Sequence, residues 1–157
     1  RQMCIRDRWN DTDNDGYGDN PSPAYQPDGC PDVNGFSTKD RFGCLDSDFD
    51  KYSDPSPDWT ISQGADAIPN DITQWIDRDG DGYGENLSGN NPDSCPLIFG
   101  TSMFTWQADP SSQSGYSKTS MFGCLDSDGD RWADSSDAFP DDPLEWFDED
   151  GDKHPSL

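Results

Sequence analysis

Asp126, Asp128, Asp130, Asp134 and Asp137 occupy positions 1, 3, 5, 9 and 12 of one short segment. Alternate residues of a curled loop point inward, so five carboxylates at this spacing converge. Without a counter-ion such crowding is repulsive. Around a hard cation that takes about 6–8 oxygens it is a coordination shell, in which short Asp side chains let the backbone wrap closely. The backbone carbonyl of position 7, here Trp132, is the expected sixth donor.

The spacing recurs along the chain. Asp11, Asp13, Asp15 and Asp19 repeat positions 1, 3, 5 and 9, with Tyr17 at position 7 and Gly16 at position 6, where a sharp turn is needed. Asp77, Asp79, Asp81 and Glu85 do so again, with Tyr83 at position 7 and Gly82 at position 6. Asp46, Asp48, Asp50 and Asp54 form another, with Tyr52 at position 7 and Asp58 one place late for position 12. In the Asp11 and Asp77 segments position 12 is Ser22 or Ser88, so the missing acid is expected from Asp28 and Asp93, each two residues before a Cys-Pro. Asp148, Asp150 and Asp152 open a fifth segment. Calcium fits this donor set best, because magnesium keeps its waters and takes fewer carboxylates. The simpler reading, solvated acidic turns, does not account for five segments in register.

The elements that must position these loops are poor in apolar residues. Leu, Ile, Val and Phe number 21 of 157 residues, and the net charge is −23. Such a balance ordinarily reads as disorder, because too little apolar surface is buried to offset chain entropy. Order must then come from metal ions and cross-links. The charge repels nucleic acid and anionic membrane surfaces, and no stretch approaches the roughly 20 apolar residues of a membrane-spanning helix. Gly, Pro, Ser, Asn and Asp dominate, which predicts turns and few regular elements.

The chain is a tandem repeat. Trp9 to Asn20 returns as Trp75 to Asn86 and begins again at Trp146. Phe42-Gly-Cys-Leu-Asp-Ser-Asp returns from Phe122, and Asp66-Ala-Ile-Pro-Asn-Asp71 as Asp137-Ala-Phe-Pro-Asp-Asp142. This predicts repeat units at 9–74 and 75–145 and the start of a third at 146–157. Residues 1–8 fit nothing downstream, carry three of the ten basic residues, and resemble a translated sequencing adapter. The rest reads as a fragment of a longer protein.

The Asp-x-Asp-x-Asp-Gly loops followed by Asp-x-Cys-Pro resemble thrombospondin type 3 repeats, and Asp137-Ala-Phe-Pro-Asp-Asp142 is similar to repeats of large microbial surface proteins. The resemblance covers residues 9–152 and departs at the inserts 20–27 and 96–121. It implies loops wrapped around Ca²⁺ ions, disulfides and almost no regular secondary structure. Cys30, Cys44, Cys95 and Cys124 allow three pairings. Duplication of a unit with one Cys-Pro and one Phe-Gly-Cys-Leu favours Cys30–Cys44 and Cys95–Cys124, in an oxidising, extracellular setting.

Trp9, Trp75 and Trp146 each lie two residues before an aspartate loop and are expected to pack over it. Trp59 and Trp106 lie in inserts, where they either pack locally or form platforms for a ligand. His154 falls at position 7 of the fifth loop and reads as structural. No histidine base near a nucleophile and no phosphate-cradling loop points to an enzyme. Two expectations follow. One is a calcium-stiffened spacer or adhesive segment of an extracellular or cell-surface protein. The other is a module that binds carbohydrate or protein through the inserts around Trp59 and Trp106.

Overall fold

The structure, a computed structural model, describes residues 10–113, 115–148 and 151–154. The expectations for residues 1–8, Trp9 and Asp150 lie outside them. Regular structure among the described residues is sparse: a 3-10 turn, Ile61–Gln63, and a hairpin of β1 (Phe104–Ala108) and β2 (Tyr116–Ser120). The hairpin is antiparallel, with Trp106 opposite Lys118 and Ala108 opposite Tyr116. It lies in the 96–121 insert, which the sequence read only as a loop. Among the described residues no helix is long and apolar enough to cross a membrane.

The chain forms two compact units, one running to Ile76 and one from Asp77. Trp75 therefore belongs with the loops before it, where its ring stacks on Tyr52 at 5.4 Å and its carbonyl accepts the Ala67 N–H. Residues 146–148 and 151–154 belong to the second unit.

Burial is unusual in kind. Asp28, Ser37, Asp46, Ser53, Asp66, Gln74, Asp93 and Ser102 are buried, while Leu45, Leu87, Leu97, Leu125 and Leu144 are exposed. Each unit is organised around acids and hydroxyls rather than an apolar core. Cys30 is bonded to Cys44 and Cys95 to Cys124, each pair with Cα atoms 5.1 Å apart. By limiting the unfolded chain, each bridge contributes roughly 3–4 kcal/mol.

The two units repeat in bonding detail. The Cys44 N–H donates to Ser37 Oγ and the Cys124 N–H to Ser102 Oγ, both at 3.0 Å. Ser37 and Ser102 each donate their own N–H to the carbonyl of that cysteine at 3.1 Å. Gly35 and Gly100 sit where these segments cross. A Cβ on Gly35 would lie 2.0 Å from the Cys44 carbonyl, and one on Gly100 2.0 Å from that of Cys124, so only glycine fits. The units differ at the insert. The Ala133 N–H donates to the Phe104 carbonyl at 3.1 Å. The equivalent Ser53 N–H donates to Asp40 Oδ1 at 2.9 Å, and the same carboxylate accepts the Trp59 indole N–H at 2.8 Å. A side chain in the first unit thus replaces a strand in the second.

Candidate metal centres

The four complete loops share one backbone path, and the described residues of the fifth follow it. Position 4 is left-handed in each, at Asn14, Phe49, Gly80, Gly129 and Gly151, and so is position 6, at Gly16, Lys51, Gly82, Arg131 and Lys153. The carboxylate of position 1 accounts for this path. Asp46, Asp77, Asp126 and Asp148 accept the N–H of position 4 on one oxygen and that of position 6 on the other, at 2.7–3.1 Å. Asp11 accepts the Gly16 N–H in the same way. These bonds hold residues such as Phe49 and Arg131 in a region that bulky side chains otherwise avoid.

Position 3 accepts the N–H of position 5, and position 5 accepts that of position 7, in all four complete loops. The second oxygen has no hydrogen-bond partner at Asp13, Asp48, Asp50, Asp79, Asp128 and Asp130, whereas at Asp15 and Asp81 it accepts the Gly35 and Gly100 N–H at 3.4 and 3.2 Å. Asp11, Asp13 and Asp15 bring ligand atoms within 4.8 Å of one another, as do Asp46, Asp48 and Asp50, Asp77, Asp79 and Asp81, and Asp126, Asp128 and Asp130. Each of these four triplets could hold a metal ion.

A remote carboxylate closes each triplet. Asp28, Asp66, Asp93 and Asp137 donate their N–H to the carbonyl of position 8, at Gly18, Ser53, Gly84 and Ala133, over 2.8–2.9 Å. Each then accepts on Oδ1 the N–H two residues on, from Cys30, Ile68, Cys95 and Phe139, at 2.6–2.8 Å. Asp28 thus lies beside Asp13 and Asp15, and Asp93 beside Asp79 and Asp81. Asp58 does not reach the second loop. It is exposed, with its charge acting on Arg41, and Asp66 lies against Asp48, Asp50 and Asp54 in its place. The excursion between Asp54 and Asp66 puts Asp66 outside the position-12 spacing from which Asp58 is read. The recurrence of Asp-Ala-x-Pro at Asp66 and Asp137 was the signal for it.

The position-9 carboxylates act as latches. Asp19, Asp54 and Asp134 each accept the backbone N–H of position 2 on one oxygen, at 2.7–3.1 Å, and the hydroxyl of the same residue on the other, at 2.5–2.6 Å. Glu85 pairs instead with Arg78 at 2.5 Å. In calcium loops the position-9 ligand often acts through water, which would leave these hydrogen bonds in place. The position-7 residues pack by their rings: Tyr17 on Phe42, Tyr83 on Phe122, Tyr52 on Trp75, and Trp132 on Trp146. Trp75 and Trp146 therefore pack on the loop before them. In the fifth loop Asp148 and Asp152 make the same backbone bonds as their counterparts.

Electrostatics marks the centres as places for a cation. Buried carboxylate oxygens without a hydrogen-bond partner occur at Asp11, Asp13 and Asp28, at Asp48, Asp50 and Asp66, at Asp79 and Glu85, and at Asp128 and Asp130. Acceptors buried without a donor are costly, and all of these lie in the four loops or at their closing residues. Burial, aided by neighbouring carboxylates, pushes Asp28, Asp50, Asp93 and Asp137 up to about 6 and Asp66 up to about 7. Burial likewise raises Asp13, Asp48, Asp81 and Asp130. Asp19 is lowered, chiefly by the Thr12 hydroxyl. An all-oxygen, carboxylate-rich donor set of this kind suits a hard divalent cation.

Two predictions arise here. Asp66→Asn should weaken calcium binding at the second loop at least about tenfold, and Asp58→Asn by less than about twofold, since affinity follows ligand charge. Calorimetric titration of both variants checks this; equal effects would remove Asp66 from the site. The second concerns pH. A carboxyl whose folded pKa is raised stabilises the fold fully below its unfolded pKa of about 3.9 and loses that contribution as pH rises through the folded value. With metal chelated, the near-UV circular dichroism should therefore report more order at pH 5 than at pH 7.5. Less order at pH 5 would contradict it.

Neither insert tryptophan stands free. Trp59 is half-buried, bonded to Asp40 and covered by the Arg41 guanidinium at 5.2 Å. Trp106 is half-buried and stacks on Trp132 at 4.4 Å. No family model, curated protein or solved structure matches the chain.

Proposed function

We propose that this chain is a calcium-binding repeat region, resembling thrombospondin type 3 repeats, that serves as a spacer or adhesive segment of an extracellular or cell-surface protein. The observation that carries this reading is the convergence, in four loops, of buried carboxylate oxygens with no donor to meet them. Calcium supplies the missing partner, and its tolerance of irregular six- to eight-fold geometry suits loops whose closing ligand arrives after excursions of different length. The two disulfides support an oxidising compartment. A spacer role is supported by the repetition of one bonded pattern, because repeats that contact mainly their neighbours build an extended scaffold.

Isothermal titration of the oxidised, metal-stripped chain tests this reading. At least about four calcium ions should bind, with magnesium markedly weaker. Fewer than two ions, or equal affinity for magnesium, would overturn it.

A further inference from the structure

A groove of about 470 Å³ opens on the second unit beside the Asp126 loop. Its walls are aromatic and acidic: Trp106, Tyr116, Trp146 and Phe147, with Asp137 and Asp148. The hairpin sets up one wall. Residues two apart on a strand share a face, so the pairing of Trp106 with Lys118 and Ala108 with Tyr116 puts Trp106, Lys118 and Tyr116 on the same side. Trp132 backs this wall, stacked on Trp106 at 4.4 Å and on Trp146 at 6.1 Å, and Phe147 tilts against Trp106 at 5.2 Å. Tyr116 and Trp146 remain 48% and 40% exposed, so the groove is open to a partner.

The same cluster already receives a cation. Lys118 Nζ lies 3.2 Å from the centroid of Phe104 and 5.0 Å from that of Trp132. Ring faces attract cations through their quadrupole, most strongly when the site is partly desolvated. The surrounding carboxylates act in the same direction and outweigh the Lys118 ammonium. The five carboxylates of the Asp126 loop exceed one divalent ion by three charges, in a chain of net charge −23.

We propose that this groove receives the guanidinium or ammonium side chain of a basic segment on a partner protein, held between the aromatic walls and the carboxylates. A neutral sugar would use the ring faces but gain nothing from the charge. Because sugars stack on ring faces, the sugar is the competing ligand to test. The proposal goes beyond calcium binding but rests on that reading, because the groove shares Asp137 and Asp148 with the loops.

The test titrates the oxidised, calcium-loaded chain with blocked arginine, blocked citrulline and a methyl glycoside, followed by tryptophan fluorescence. Citrulline keeps the shape of arginine and removes its charge. Arginine should bind at least about tenfold more tightly than citrulline, and less tightly as salt rises. Tyr116→Ser should weaken arginine about three- to tenfold, with Trp146→Leu as a second variant on the opposite wall. Equal binding of citrulline, preference for the glycoside, or no saturable arginine binding would overturn the proposal. A calcium titration of the same sample counts ions independently, so loss of the calcium reading would appear there and not in the arginine-to-citrulline ratio.

Discussion

Chelating calcium with EGTA should abolish most of the near-UV circular dichroism of the tryptophans. Trp132, Trp106 and Trp146 are stacked on one another, and Trp75 on Tyr52. Each stack rests on the position-7 residue of an aspartate loop, whose path depends on carboxylates held close together. With few apolar side chains buried, little else offsets the repulsion among Asp46, Asp48, Asp50, Asp54 and Asp66 or their counterparts. Binding and folding are then linked, and removing the ion removes its whole contribution to stability. The disulfides survive chelation, so calcium should restore the signal. A spectrum unchanged after verified metal removal would show that the hydrogen-bonded loops hold without ions.

The second large effect is local. Asp126→Ala with Asp130→Ala removes the carboxylate that fixes positions 4 and 6 and one that is left with an unpartnered oxygen. That loop should lose its ion, while the Asp11 loop of the other unit binds as before, because repeats contact mainly their neighbours. Calorimetry should show the stoichiometry fall by about one ion, together with loss of the Trp132 stacking signal. Loss of binding at every site would indicate one cooperative body.

The disulfide pairing was legible because unit duplication is written in the chain, and Asp28 and Asp93 because each precedes a Cys-Pro at the same distance. The latch at position 9 was not legible. A carboxylate at that spacing reads as a ligand, and only the placement of Thr12, Ser47 and Ser127 reveals where its oxygens go. The groove beside Trp106 was equally hidden, since β1 and β2 lie in an insert whose variable length reads as a surface loop. Their pairing depends on Trp132, which supplies the surface on which Phe104 and Trp106 pack.

By itself the sequence determined the identity and count of the aspartate loops, the scarcity of regular structure and the partition of the cysteines. These follow from spacing and composition, which are local properties of the chain. Only the tertiary structure decided that Asp66 rather than Asp58 closes the second loop, and that Trp75 and Trp146 cover the loop behind them. The physical reason is common to both. An N–H bonded to the position-8 carbonyl and a ring stacked on position 7 depend on where the chain returns after an insert, and an insert's length does not disclose where its ends meet.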